Sequence, residues 1–142
     1  MLNEFTLESK MLTKKLIVIT LFLFVIACTM GCIQNYGKKL LFNGGELYYT
    51  PNVTLSEASK LGQYLVTEEF FDGNPKTVQL NKTGNTYEFR MVVKKGLEND
   101  QDVLLGVKIL SAALSENVFQ GNQVDIHLCD EYLDTIRVVV NI

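Results

Sequence analysis

Asp125, His127 and Cys129 stand two apart in "VDIHLC", so they project from one face of a single strand. A carboxylate, the chain's one histidine and a thiol could together ligate zinc or pair a nucleophile with a base. The spacing argues against both. Side chains two apart on a strand sit about 6.5–7 Å apart along it, too far for direct proton transfer. Three ligands in line cannot easily wrap a tetrahedral ion, and no second histidine is present to complete one. The expectation is a polar strand face, with Cys129 acting as a small hydrophobe and no metal or cofactor bound. The runner-up reading keeps the sheet face around His127 as a small-ligand or metal-binding surface.

Other chemistries fare no better. "FNGGEL" has adjacent glycines, but a strand follows where phosphate binding needs a helix N-terminus. Tyr87, Phe89 and Arg90 lack the glycine spacing of an RNA-binding strand. A net charge of −3 over 142 residues leaves no basic patch to release counterions from a polyanion. Nucleic acid is therefore excluded as a partner, and the chain reads as non-enzymatic.

The remaining thiols, Cys28 and Cys32, close a run without charge in "MLTKKLIVITLFLFVIACTMGC". Lys14 and Lys15 precede an apolar stretch from Leu16 to Ala27, the layout of an export signal. Glu4 and Glu8 fit poorly in a signal's positive region, which makes Met11 an alternative start. "VIAC", Val25 to Cys28, resembles the lipobox of bacterial lipoproteins. That resemblance implies cleavage after Ala27 and a diacylglycerol on the Cys28 thiol. Cys32 is the alternative, although Thr29 and Met30 in "TMGC" match the pattern less well. Acyl chains contribute roughly 0.8 kcal/mol per buried methylene, enough to hold a domain at a bilayer when several act together. An uncleaved anchor over Leu16 to Ile33 and a plain secretory signal are the competing readings. All three export the domain, and the first places it in the bacterial cell envelope, on the non-cytoplasmic side of a membrane. Residues 1–27 are then the signal, 28–39 a tether and 40–142 an α+β domain.

Within that domain, "GELYYT" reads as a strand. Thr54 and Glu57 have capping-box spacing, and Ala58, Leu61, Leu65 and Val66 mark the buried face of a first helix. "DGNP" ends it, with Gly73 suited to a left-handed cap. "KTVQLNKTGNTYEFRMVV" reads as a hairpin turning at "KTGN", and Asn99 or Asp100 caps a second helix over Gln101 to Val118. Val124, Ile126 and Leu128 face inward on a last hairpin returning through "TIRVVV". The order is β-α-β-β-α-β-β, an antiparallel sheet with two helices on one face, ferredoxin-like with an extra edge strand. "EEFFDGNPKTVQL" and "ENVFQGNQVDIHL" echo one another, and both lead to an Arg-x-Val-Val strand at Arg90 and Arg137. Duplication explains the echo, and so does the common use of glycine at helix-to-strand junctions.

The second helix has more apolar surface than one sheet face requires. Val103, Val107, Leu110, Leu114 and Val118 already form a stripe, and Leu105 and Ile109 lie beside it. They form either a docking patch for a protein partner or second copy, or the rim of a broad core stripe covered by the tether around Leu40 to Phe42. From Phe42 onward, "FNGGELYYT", "FFDG", "VQL", "YEFRMVV", "NVF-x-G" and "IHLCD" resemble a small module of uncharacterised bacterial proteins. The resemblance implies a shared fold and brings no activity with it.

Overall fold

The computed structural model describes residues 36–140 together with Lys14. Tyr36–Ile142 forms one compact unit. Its elements are β1 (Lys38–Phe42), β2 (Gly45–Tyr49), α1 (Leu55–Thr67), β3 (Lys76–Thr83), β4 (Thr86–Val92), a 3-10 turn (Leu97–Asn99), α2 (Gln101–Asn117), β5 (Val124–Cys129) and β6 (Thr135–Val139). The domain is thus α+β, as expected, but its order is β-β-α-β-β-α-β-β. Lys38–Phe42, expected as tether and entry segment, is a strand. Asn43 and Gly44 close its hairpin onto β2, both at positive φ (38° and 82°), with Phe42 paired to Gly45. Asn-Gly suits such a tight turn because both central positions need left-handed backbone.

The sheet order is strictly sequential, β1 to β6. Neighbours β1/β2, β3/β4 and β5/β6 are antiparallel, whereas β2/β3 and β4/β5 are parallel and joined through α1 and α2. The sheet is therefore mixed, which corrects both the antiparallel sheet and the ferredoxin-like arrangement. In a ferredoxin-like sheet each crossover skips a strand and the last one doubles back. Here each crossover joins immediate neighbours and the chain advances in one direction.

Register shows where the core lies. Leu47 pairs Val78, Val78 pairs Met91, and Met91 pairs Leu128; Tyr49, Leu80, Phe89, Ile126 and Val139 form the adjoining row. Paired residues share a sheet face, so these side chains all project one way. Ala58, Leu61 and Leu65 of α1 and Val107 and Leu114 of α2 close over them in one apolar cluster. Each fully buried leucine or phenylalanine contributes roughly 1.5–3 kcal/mol. Both helices thus lie on one face. β2 and β4 run in opposite directions while the chain advances the same way across the sheet, so the two crossovers must have opposite hands. One is left-handed, a connection seen in roughly 2% of such units.

That topology also decides the sequence echo. Phe71 and Phe119 are both buried behind a helix, and Gly73 and Gly121 both take positive φ (93° and 84°). Yet crossovers of opposite hand cannot be superposed. Arg137 pairs with Leu128 on the helix face, while Arg90 pairs with His127 on the other. The echo is a shared junction, not a repeated unit.

The helix ends follow local rules. The Thr54 hydroxyl accepts from the Glu57 amide and Glu57 accepts from the Thr54 amide, completing the capping box. Asp100 caps α2 by accepting from the amides of Asp102 and Val103. α1 stops at Thr67, and Glu69 rather than Gly73 turns left-handed just beyond it, at φ 57°. Gly73 instead donates its amide to Asn43 O, tying that segment to the β1–β2 turn.

Close packing at the β1–β2 hairpin gives a test. A Cβ on Gly45 would meet the ring of fully buried Phe71 at 2.1 Å. Gly45→Ala should therefore destabilise the domain by about 1–3 kcal/mol, an overpacking cost, read as a lower urea midpoint at unchanged slope. An unchanged midpoint would show that the ring has room to move.

Candidate functional site

The face of the sheet away from the helices carries a row of side chains set by register: Lys39, Tyr48, Gln79, Arg90, His127 and Val138, one from each strand. Alternation on the strands that bury Leu47, Leu80, Phe89 and Ile126 forces these residues to the opposite side. Tyr36 folds back over this face. Its carbonyl accepts from Gln79 Nε2 at 2.8 Å, its hydroxyl donates to Tyr132 O at 3.0 Å, and its ring meets Tyr48 edge-on at 5.5 Å.

The polar groups are largely paired with one another. Glu88 accepts from Asn81 at 2.9 Å, from Thr83 at 2.8 Å and from Arg90 Nη2 at 3.3 Å. Burial raises the Glu88 pKa, and these donors outweigh it, so the net shift is downward and Glu88 is ionised. Arg90 Nε is buried and without a hydrogen-bond partner, alone in this among the described side chains.

Asp125, His127 and Cys129 do share this face. They do not converge: Asp125 Oδ1 accepts from Gln123, His127 Nδ1 lies 3.1 Å from Thr135 Oγ1, and Cys129 Sγ points to His127 O at 3.4 Å. Burial, then the charge of Arg90, lowers the His127 pKa and keeps the imidazole neutral. Burial raises that of Cys129, which stays a thiol. Among the described residues no three His, Cys, Asp or Glu side chains gather around one point.

The second surface lies at the β6 edge. Leu105 and Ile109 on α2 are 60% and 63% exposed, and Ile136, Val138 and Val140 on and beside β6 are 44–49% exposed. A shallow groove of about 420 Å³ between α2 and β6 is lined by Leu105, Lys108, Val138 and Val140, with Ile109 and Ile136 outside its lining. The expected cover from Leu40 to Phe42 is absent, because β1 is at the far edge of the sheet and packs Phe42 against Gly62 of α1. Leu104 and Leu110 meet the core; Leu105 and Ile109 do not. Cys28, Cys32, the signal and the Met11 start lie outside the described residues. Among the described residues no helix is long and apolar enough to cross a membrane.

Sequence reasoning missed a polar node on the helix face. Beyond its capping role, Glu57 accepts from the Tyr87 hydroxyl and from Lys82 Nζ at 3.1 Å. Lys82 Nζ lies 4.5 Å from the Tyr87 ring, whose other face stacks on Phe119 at 3.8 Å. Lys60 Nζ donates to Val118 O at 2.7 Å and links the two helices directly. Burial works against Glu57 ionisation, and Tyr87, Thr54 and Lys82 outweigh it, holding its carboxyl at about 2. A carboxylate so committed is a clamp and no general base.

The fold defines a small α+β domain with one covered and one open sheet face. The chain belongs to the AF_1994_N family, uncharacterised proteins whose N-terminal-domain model matches residues 39–141. No curated protein and no solved structure matches it.

Glu57 sets a pH dependence. Its folded pKa of about 2 lies below its ordinary 4.5, so its stabilisation is full above 4.5 and is lost as pH falls toward 2. The shift corresponds to at most about 3 kcal/mol, less for a side chain a quarter exposed. Urea titrations from pH 7 to 2.5 should show Glu57→Gln less stable than wild type at neutral pH, with the two converging in acid. A constant gap would place the effect of the substitution elsewhere.

Proposed function

We propose that this protein is a membrane-anchored, non-enzymatic module that binds a protein partner or serves a structural role at the cell envelope. The observation that carries this reading is the apolar tract of Leu105, Ile109, Val138 and Val140, which sits open at one corner of an otherwise well-packed domain. Contiguous exposed apolar surface beside a sheet edge is the usual mark of a contact site. The open face supports the same reading, because its His, Cys and Asp side chains bond locally and leave no convergent reactive pair. The anchor rests on the lipobox: Cys28, or Cys32 in its place, takes the lipid and holds the domain on the non-cytoplasmic side.

A second reading has one observation in its favour. Buried Arg90 Nε has no partner and adjoins neutral His127, so a small carboxylate or phosphate could find a charge-assisted contact on the open face.

Two experiments test the leading reading. A clickable fatty acid fed to cells making the chain should label wild type and Cys32→Ser but not Cys28→Ser. Label lost only in Cys32→Ser would move the anchor, and no label at all would remove it. A photo-crosslinking amino acid at position 105 should give discrete protein adducts in native membranes, while one at Gly84 should not. Absence of adducts at 105 would overturn the protein-binding reading.

A further inference from the structure

We propose that β6 is the edge through which two copies of this chain join into one continuous sheet, with their α2 flanks meeting above it. The inference names the partner for the protein-binding reading and rests on it.

The two sheet edges are treated differently. β1 carries Lys38 and Lys39, the usual guard against strand pairing. β6 carries one charge, and that charge is drawn away: Arg137 Nη1 donates to Glu98 O at 3.1 Å and to Asn99 Oδ1 at 2.8 Å. What remains along β6 and just beyond it is Ile136, Val138 and Val140, all β-branched and exposed. Such residues favour strand pairing, and beyond one irregularity at Ile136, the extra residue opposite the Leu128–Cys129 step, nothing guards the rest of β6.

Symmetry selects one register. A two-fold axis normal to the sheet keeps both open faces on the same side and requires paired residue numbers to have an even sum. Centred on Val138, it sets Val138 against its own copy on the open face, with the bulged Ile136 brought opposite Val140 at either end of the pairing. Arg137 then opposes Val139. Centring on Arg137 would stack two guanidinium groups, which is unfavourable.

The helix layer points to a second copy rather than to a strand from another protein. An added strand alone would cover β6 and leave Leu105 and Ile109 in water. The two-fold covers both surfaces at once. It sets the two β5 strands about 14 Å apart, three strand spacings, and places α2 beside its antiparallel copy with Leu105 and Ile109 between them. Asp102 and Lys108 stand on either side of Leu105, and reversal of the partner helix turns the acidic end of one flank toward the basic end of the other.

The test uses the full chain in native membranes, in a Cys32→Ser background. Val138→Cys should form a reducible covalent dimer on mild oxidation, and chains bearing Ile136→Cys mixed with Val140→Cys should do the same. Thr83→Cys, at the β3–β4 turn, should not. Adding Leu105→Arg should cut the Val138→Cys dimer at least tenfold and convert detergent-solubilised chain from dimer to monomer in sedimentation. Failure of both cysteine pairings overturns the proposal, whatever the sedimentation shows. If both fail while a photo-probe at position 105 still captures another protein, the second copy is wrong and the protein-binding reading stands.

Discussion

Every fully buried side chain of β2 to β5 except Cys129 projects from one face of the sheet, and the rest of the structure follows from accommodating that face. Two amphipathic helices are the available cover, so both must lie on the same side. Because the strands are laid down in sequence, this forces crossovers of opposite hand, one of them the disfavoured hand. The Glu57, Lys82 and Tyr87 node sits where that arrangement needs fastening. It joins the start of α1 to the β3–β4 hairpin, and the Tyr87 ring carries the connection on to Phe119 behind α2.

A one-sided core also explains the opposite face. With no helix among the described residues to cover it, this face must be polar or find another cover, and both solutions occur. Glu88, Asn81, Thr83 and Arg90 bond among themselves, while Tyr36 straps the middle strands and buries Gln79. Among the described residues two sheet edges carry no further strand. Lysines blunt β1; β6 has only a bulge at Ile136, and its apolar residues adjoin the part of α2 that the core leaves uncovered.

Much of this was legible in the sequence. The capping box at Thr54 and Glu57, the Asp100 cap, the inward residues of β3, β4 and β5, and the shared face of Asp125, His127 and Cys129 all follow from local chemistry and period. The strand at Lys38–Phe42 was missed although Asn43-Gly44 is a strong hairpin signal; its lysines made it look like a tether. Strand order was not legible. A strand–helix–strand unit has the same periodicity whether its strands are neighbours or one place apart, and only long-range pairing separates the two. The Glu57 node was hidden for a related reason, since its members lie 25 and 30 residues apart and meet only after the sheet forms. For Leu105 and Ile109 periodicity could show surplus apolar surface, but not that β1 lies at the opposite edge and cannot cover it.

The sequential sheet is the central claim, and inter-strand nuclear Overhauser contacts in the isotope-labelled domain test it most directly. The structure predicts contacts between Leu47 and Val78 and between Phe89 and Ile126, in the patterns of parallel neighbours. A ferredoxin-like order would instead set β2 beside β4. Antiparallel contacts between Leu47 and the Phe89 strand, with none between Leu47 and Val78, would contradict the account.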